Sequence, residues 1–148
     1  MKHTGLNHPL EKALQIAVES HAGQTDKSGQ PYVLHPLRLM MRMATEAEKI
    51  VALLHDVVED TPVTFDELEK MGFGPEVLEP LRLLTHDKTV DYFEYLAAIR
   101  TNPIARKVKL ADLEDNLNIL RLPAQMSDKD WQRLQKYRRA WEFLTQPS

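Results

Sequence analysis

The sequence predicts an all-α fold of about seven or eight helices, and three observations lead there. Apolar residues recur at helical spacing along most of the chain. No alternating strand pattern persists anywhere. Proline and Ser, Thr or Asn stand where helices would begin. The 148 residues suit one domain, 1–148, with a sizeable core.

Asn7-His8-Pro9-Leu10 reads as a helix start, with Asn7 as cap and proline in the first turn. Leu10, Leu14, Ala17, Val18 and Ala22 continue it, and His21 falls at its end beside Gly23. On its own His21 reads as a surface or capping residue whose interest depends on what it faces. The polar stretch Gln24 to Tyr32 turns at Ser28-Gly29 and stops at Pro31. Composition favours an ordinary solvated loop there, although Lys27 and Ser28 could contact a phosphate. His35-Pro36 opens a short helix through Leu37, Leu39, Met40 and Met43, whose methionines suit core filling.

Thr45 with Glu48 forms a capping box that launches the central helix, which Thr61-Pro62 ends. Thr64 with Glu67 forms a second box, opening a short helix that stops near Gly72. Gly74-Pro75 restarts the chain, with Val77, Leu78, Leu81 and Leu84 as an apolar stripe. After a polar loop, Tyr92, Phe93, Leu96, Ala97 and Ile99 mark the next helix. Asn102-Pro103 starts another, expected to carry Ile104 through Leu120. Ser127 caps the last helix, with Leu134, Tyr137, Trp141 and Leu144 on one side and a basic, solvated face on the other.

Net charge is −3, which argues against sequence-independent nucleic-acid binding. The absence of cysteine excludes disulfides, zinc knuckles and thiol nucleophiles. Met1 to Gly5 contains no hydrophobic secretion segment, and no apolar run approaches a membrane span, so a soluble cytoplasmic protein is expected. Oligomeric state has no signature, because no exposed stripe stands apart from a core stripe.

The central run, Ile50 to Thr61, is mostly apolar but gathers His55, Asp56, Glu59 and Asp60 at its end. Read as one helix, it puts His55 one turn from Glu59 and Asp56 one turn from Asp60. Buried carboxylates are costly without a positive partner, and the C-terminal end of a helix dipole repels anions. A cation among these groups resolves both problems; imidazole with carboxylate suits Mn, Fe, Zn or Mg. An amphipathic helix with a solvated acidic end is the simpler alternative for any one of the residues. Further on, Asp112 and Asn116 share a helix face, with Asp115 three residues from Asp112 and Glu114 pointing elsewhere. Asp112 alone would read as a surface carboxylate.

Three ordered segments resemble a known family. His21-Ala22-Gly23-Gln24, Lys27 to Tyr32 and His35-Pro36 are similar to the opening motif of the RelA/SpoT-type guanosine tetraphosphate hydrolases, within the HD-domain metal-dependent phosphohydrolases. Leu53 to Thr61 resembles the second motif, and Val108 to Leu113 with Asn116-Leu117 the third. Together they span 21 to about 117. The length resembles the small stand-alone members and leaves no room for a synthetase domain.

The resemblance implies metal ligands His21, His55, Asp56 and Asp112, usually around Mn²⁺. It implies that Glu59 and Asp60 handle the attacking water, that Lys27 and Ser28 line the nucleotide pocket, and that Asn116 sits by the ribose and phosphates. The implied reaction releases pyrophosphate from the 3′ position of guanosine tetra- or pentaphosphate. Members acting on that alarmone usually carry Arg before the Lys-Ser pair, stacked on guanine; here Asp26 replaces it. Its carboxylate could instead accept hydrogen bonds from the guanine edge, and Asp26→Arg would raise turnover if lost stacking is what matters. The sequence Leu113-Glu114-Asp115 also departs, placing acids where the family is often basic or neutral. Two alternatives stay open: an HD-type phosphohydrolase for a different nucleotide, and a nucleotide-binding regulator without turnover.

Overall fold

The computed structural model describes residues 8–147. Among them are nine α-helices: α1 Pro9–Ser20, α2 Leu34–Met41, α3 Glu46–Leu54, α4 Val57–Asp60, α5 Phe65–Lys70, α6 Pro75–Leu84, α7 Tyr92–Arg100, α8 Pro103–Asn116 and α9 Asp128–Thr145. A 3₁₀ turn, Ile119–Arg121, joins the last two. The only extended pairing in this region is an isolated bridge between Thr25 and Pro31. The chain is all-α, as expected.

α3 is the centre of the fold. Ile50, Val51, Ala52, Leu53 and Leu54 are all buried, so the helix is apolar on every side. It is enclosed by α1, α2, α6 and α8. Burial of each large side chain contributes about 1.5–3 kcal/mol. The Thr45–Glu48 capping box forms in full: Thr45 Oγ1 accepts from Glu48 N (3.2 Å) and Glu48 Oε1 accepts from Thr45 N (3.1 Å). At Thr64 only half the box forms, because Glu67 Oε1 takes the Thr64 hydroxyl rather than its N–H.

Three boundaries differ from expectation. Asn7 lies outside the described residues, and His8 fills the cap, its Nδ1 accepting from Leu10 N at 3.2 Å. The helix expected through Leu120 stops at Asn116; Asn118 then caps the 3₁₀ turn through Leu120 N, leaving Leu120 91 % exposed. Most important for the site, the central helix is two helices. It ends at Leu54, passes through His55 and Asp56 as a turn, and resumes as α4. The break raises the count from eight to nine while preserving the spacing behind it, since Asp60 N still donates to Asp56 O at 3.0 Å.

Candidate metal centre and flanking pockets

Few polar side chains are buried. Among the described residues they are His21, His35, His55 and Asp112. His35 comes from α2, His55 from the α3–α4 break and Asp112 from α8, and both α2 and α3 pack on α8. One nitrogen each from His35 and His55 and one Asp56 oxygen lie within 4.8 Å of one another.

His55 is prepared for a ligand. Its Nδ1–H donates to the Ala52 carbonyl at 2.6 Å, which leaves the Nε2 lone pair free. That Nε2 is buried without a hydrogen-bond partner: Asp56 Oδ2 at 3.0 Å and Asp112 Oδ1 at 3.6 Å are near but not in line. The His35 ring stands edge-on to it, 5.2 Å between centroids. His35 Nδ1–H donates to Asp115 Oδ2 at 2.6 Å, and His35 Nε2 is 2.8 Å from Asp112 Oδ1. Asp112 also takes Lys109 Nζ (3.0 Å) and Asn116 Nδ2 (3.1 Å), and Asp56 accepts the Tyr32 hydroxyl.

The electrostatics call for positive charge. Burial opposes ionisation of Asp112, yet Lys109 and the two imidazoles hold its carboxyl well below the usual range. Burial likewise opposes charge on His55 and His35, but Asp56, Asp112 and Asp115 lift both above the ordinary imidazole value. The field that draws protons onto these rings would draw a divalent cation to their lone pairs, with release of those protons. Ligand atoms about 2.1 Å from one ion lie roughly 3–4 Å apart, so small rotations suffice. The donors present fit a divalent metal.

The geometry gathers a set that differs from the expected one. His21 is buried and its Nε2, like that of His55, has no hydrogen-bond partner, but it lies outside this group; its Nδ1 faces Gln24 Oε1 at 2.9 Å and its ring packs 4.9 Å from Tyr32. His35 is the histidine that meets His55, Asp56 and Asp112 here. It belonged to the motif Tyr32 … His35-Pro36, where the proline made it look like a helix opener. Asp115 braces His35 and is held by Arg38 Nε (2.9 Å) and Arg121 Nη2 (2.9 Å). Glu114 faces away, to Arg42 and to Trp141 Nε1 at 2.8 Å. Each acid is thus paired with arginine, Glu114 with Arg42 and Asp115 with Arg38 and Arg121.

Glu59 and Asp60 lie just beyond the group on α4. Glu59 Oε1 accepts the His86 backbone N–H at 2.7 Å. Burial, then the charges of Asp56 and Glu59, push the Asp60 carboxyl above its usual value. In the loop, Asp26 Oδ1 accepts from Ser28 N, Ser28 Oγ and Gln30 N, each at 2.9 Å. It builds the turn through this one oxygen. The Ser28 hydroxyl is thereby turned inward to the loop, and Lys27 Nζ pairs with Asp130 Oδ1 of α9 at 3.0 Å.

Two cavities flank the centre. The larger, about 340 Å³, is lined by Lys27, Tyr32, Asn116, Arg121, Arg133 and Tyr137 among others. The smaller, about 190 Å³, is lined by His55, Asp56, Asp112, Tyr92 and Lys136, and shares Tyr137. The α9 wall common to both had no signal in the sequence beyond an apparently solvated basic face.

An all-helical fold with a His-Asp pair at a helix break, met by an aspartate from a distant helix, defines an HD-type metal-centred protein. No family model matches the chain. It is 36 % identical over 124 residues to Drosophila melanogaster guanosine-3′,5′-bis(diphosphate) 3′-pyrophosphohydrolase MESH1, covering 75 % of this chain and 69 % of that protein. It is 32 % identical over 123 residues to the enzyme of that name from Aquifex aeolicus, and 42 % over 74 residues to Escherichia coli bifunctional (p)ppGpp synthase/hydrolase SpoT. These alignments cover 75 % and 47 % of this chain but only 18 % and 10 % of those two longer proteins. A solved structure of a metazoan SpoT ortholog that hydrolyses ppGpp superposes with a TM-score of 0.74 at 29 % identity, over 93 % of this chain and 85 % of that one. The chain belongs to the guanosine-3′,5′-bis(diphosphate) 3′-pyrophosphohydrolase family.

Proposed function

We propose that the protein hydrolyses guanosine 3′,5′-bis(diphosphate) to GDP and pyrophosphate at a divalent ion held by His35, His55, Asp56 and Asp112. The observation that carries this reading is the convergence of two buried imidazoles on Asp56 and Asp112, with His55 Nε2 left without a hydrogen bond. Family membership supplies the substrate class. The mixed nitrogen and oxygen donors suit Mn²⁺.

When bound, the ion lowers the pKa of a water and polarises the phosphoryl oxygen. The chain's own groups do the rest. Asp60, made a stronger base than an ordinary carboxylate by burial and the charges of Asp56 and Glu59, takes a proton from the attacking water and returns one to the ribose 3′ oxygen as the P–O bond breaks. Glu59, tethered to the His86 N–H, orients the water. Asn116 positions the ester, and its amide also braces Asp112. Lys27 and Arg121 line the larger cavity, where they offset the 5′-diphosphate. Ser28 acts by shaping the loop that presents Lys27. His21 supports Tyr32 from behind rather than binding the ion.

The test is direct. Metal-replete protein is incubated with the alarmone and the products separated by chromatography. Equimolar GDP and pyrophosphate are expected; no release with Mn²⁺ or any other divalent ion rejects the reading. One observation favours a second substrate: Asp26 is committed to the turn, so no cation from this loop position reaches a purine. Faster turnover of another nucleotide in a panel would move the assignment within the same chemistry.

A further inference from the structure

The smaller cavity holds a polar group that nothing so far uses. The Tyr92 hydroxyl is buried and has no hydrogen-bond partner. Such a group is expensive to keep unless something visits it. Its neighbour Tyr95, on the same helix, is satisfied by the Leu84 carbonyl at 2.7 Å, so the deficiency belongs to Tyr92 alone of the pair. Burial pushes the Tyr92 phenol above its ordinary value, which keeps the proton on and makes it a donor.

The surroundings suit an anion. Lys136 Nζ lies 4.1 Å from the Tyr92 ring centroid, at the exposed side of the cavity. Lys109, nearly buried, lines the inner side with its ammonium 3.0 Å from Asp112 Oδ2. The acids on the remaining wall, Asp56, Asp112 and Glu59, are the ion's ligands and the water's neighbour in the reading above. His55, Asp56 and Asp112 line this cavity, while Tyr32, Asp115 and Asn116 line the larger one. The metal group therefore stands between two chambers. A substrate with its nucleoside in the larger chamber and its 3′ phosphorus at the ion must project the next phosphate into the smaller.

We propose that the smaller chamber seats the distal phosphate of the 3′-diphosphate, bound by the Tyr92 hydroxyl and the Lys136 ammonium. This rests on the hydrolase reading for the identity of the ligand. The donors bind the pyrophosphate unit before cleavage and hold it as product afterwards. They add affinity for a diphosphate that a single phosphate cannot use, so they select a 3′-diphosphate over a 3′-monophosphate.

The experiment compares wild type, Tyr92→Phe and Lys136→Gln, all loaded with Mn²⁺, by equilibrium dialysis against inorganic pyrophosphate, orthophosphate and GDP. Tyr92→Phe removes one oxygen and keeps the ring, and melting curves check that both variants fold. Pyrophosphate affinity is expected to fall about tenfold in Tyr92→Phe, and by a smaller factor in Lys136→Gln, with orthophosphate and GDP unchanged. Unchanged pyrophosphate affinity in both variants overturns the proposal, as does an equal loss for all three ligands. Failure of the hydrolase reading shows separately, as wild-type protein that binds pyrophosphate through Tyr92 yet does not turn over the alarmone.

Discussion

His35 and Asp115 are joined at 2.6 Å, Nδ1 to Oδ2, across α2 and α8. The contact turns the other ring nitrogen of His35 towards Asp112 and ties it to a carboxylate that Arg38 and Arg121 already hold. Asp115→Asn should weaken metal binding by about 10–100-fold while leaving every direct ligand in place. Competition with a metal-indicating chelator measures it, and unaltered affinity would show that the contact does not orient the ring.

The same variant should lose about 2–4 kcal/mol of stability at neutral pH, because two arginines and an imidazole lose their charge partner. The folded protein holds the Asp115 carboxyl below its free value of 3.8: burial raises it, but His35 and Arg38 outweigh that. A depressed folded value contributes stability above the unfolded value and loses it as pH falls through the folded one. The gap between wild type and variant should thus be full at pH 7 and shrink only in strong acid. Urea melts across pH check this; a gap that widened on acidification would contradict the sign.

His35→Ala and His21→Ala separate the two candidate ligands. The first should strip the ion, and the second should retain it at near-stoichiometric content by elemental analysis. Metal loss in His21→Ala, with His35→Ala still loaded, would reinstate the assignment that the resemblance implies.

Asp26→Arg should not improve turnover. The carboxylate organises three hydrogen bonds in the loop, and arginine offers no acceptor to replace them. A rise in KM of about tenfold with metal content unchanged is expected, from looser presentation of Lys27. A gain in alarmone turnover would show that stacking outweighs the turn.

Asp60→Asn should lower kcat by about 10²–10⁴-fold and leave metal binding intact. Glu59→Gln should cost less, because an amide oxygen can still accept from His86 N. Equal and small losses in both would remove proton transfer from α4.

Removal of the ion should destabilise the fold as well as silence it. A ligand at 100 times its dissociation constant adds about 2.7 kcal/mol. Chelator should lower the melting temperature of wild type and have no effect on a His35→Ala, Asp112→Asn double variant.

Much of this was legible in local pattern. Caps at Thr45, Asn102 and Ser127 began helices where the residues said they would, since a cap is a contact between near neighbours. Ile50 to Leu54 announced a buried helix by being apolar on every face. The His55-Asp56 pair and Asp112 stood out as polar groups in apolar surroundings. What spacing could not show was the break at residue 55, where a side chain takes the Ala52 carbonyl and a turn replaces a continuous helix.

The sequence by itself determined the fold class, the buried helix and most of the polar groups at the centre, because these follow from periodicity and from the cost of burying charge. Only the tertiary structure decided which histidine joins them. His21 and His35 sit in one motif, each beside a turn or a proline, and no local rule distinguishes them. The packing of α2 on α8 does so, by setting His35 between Asp112 and Asp115. The same packing made Asp115 a structural acceptor, while donors within its own loop did so for Asp26, since a carboxylate's role depends on the donors that meet it in space.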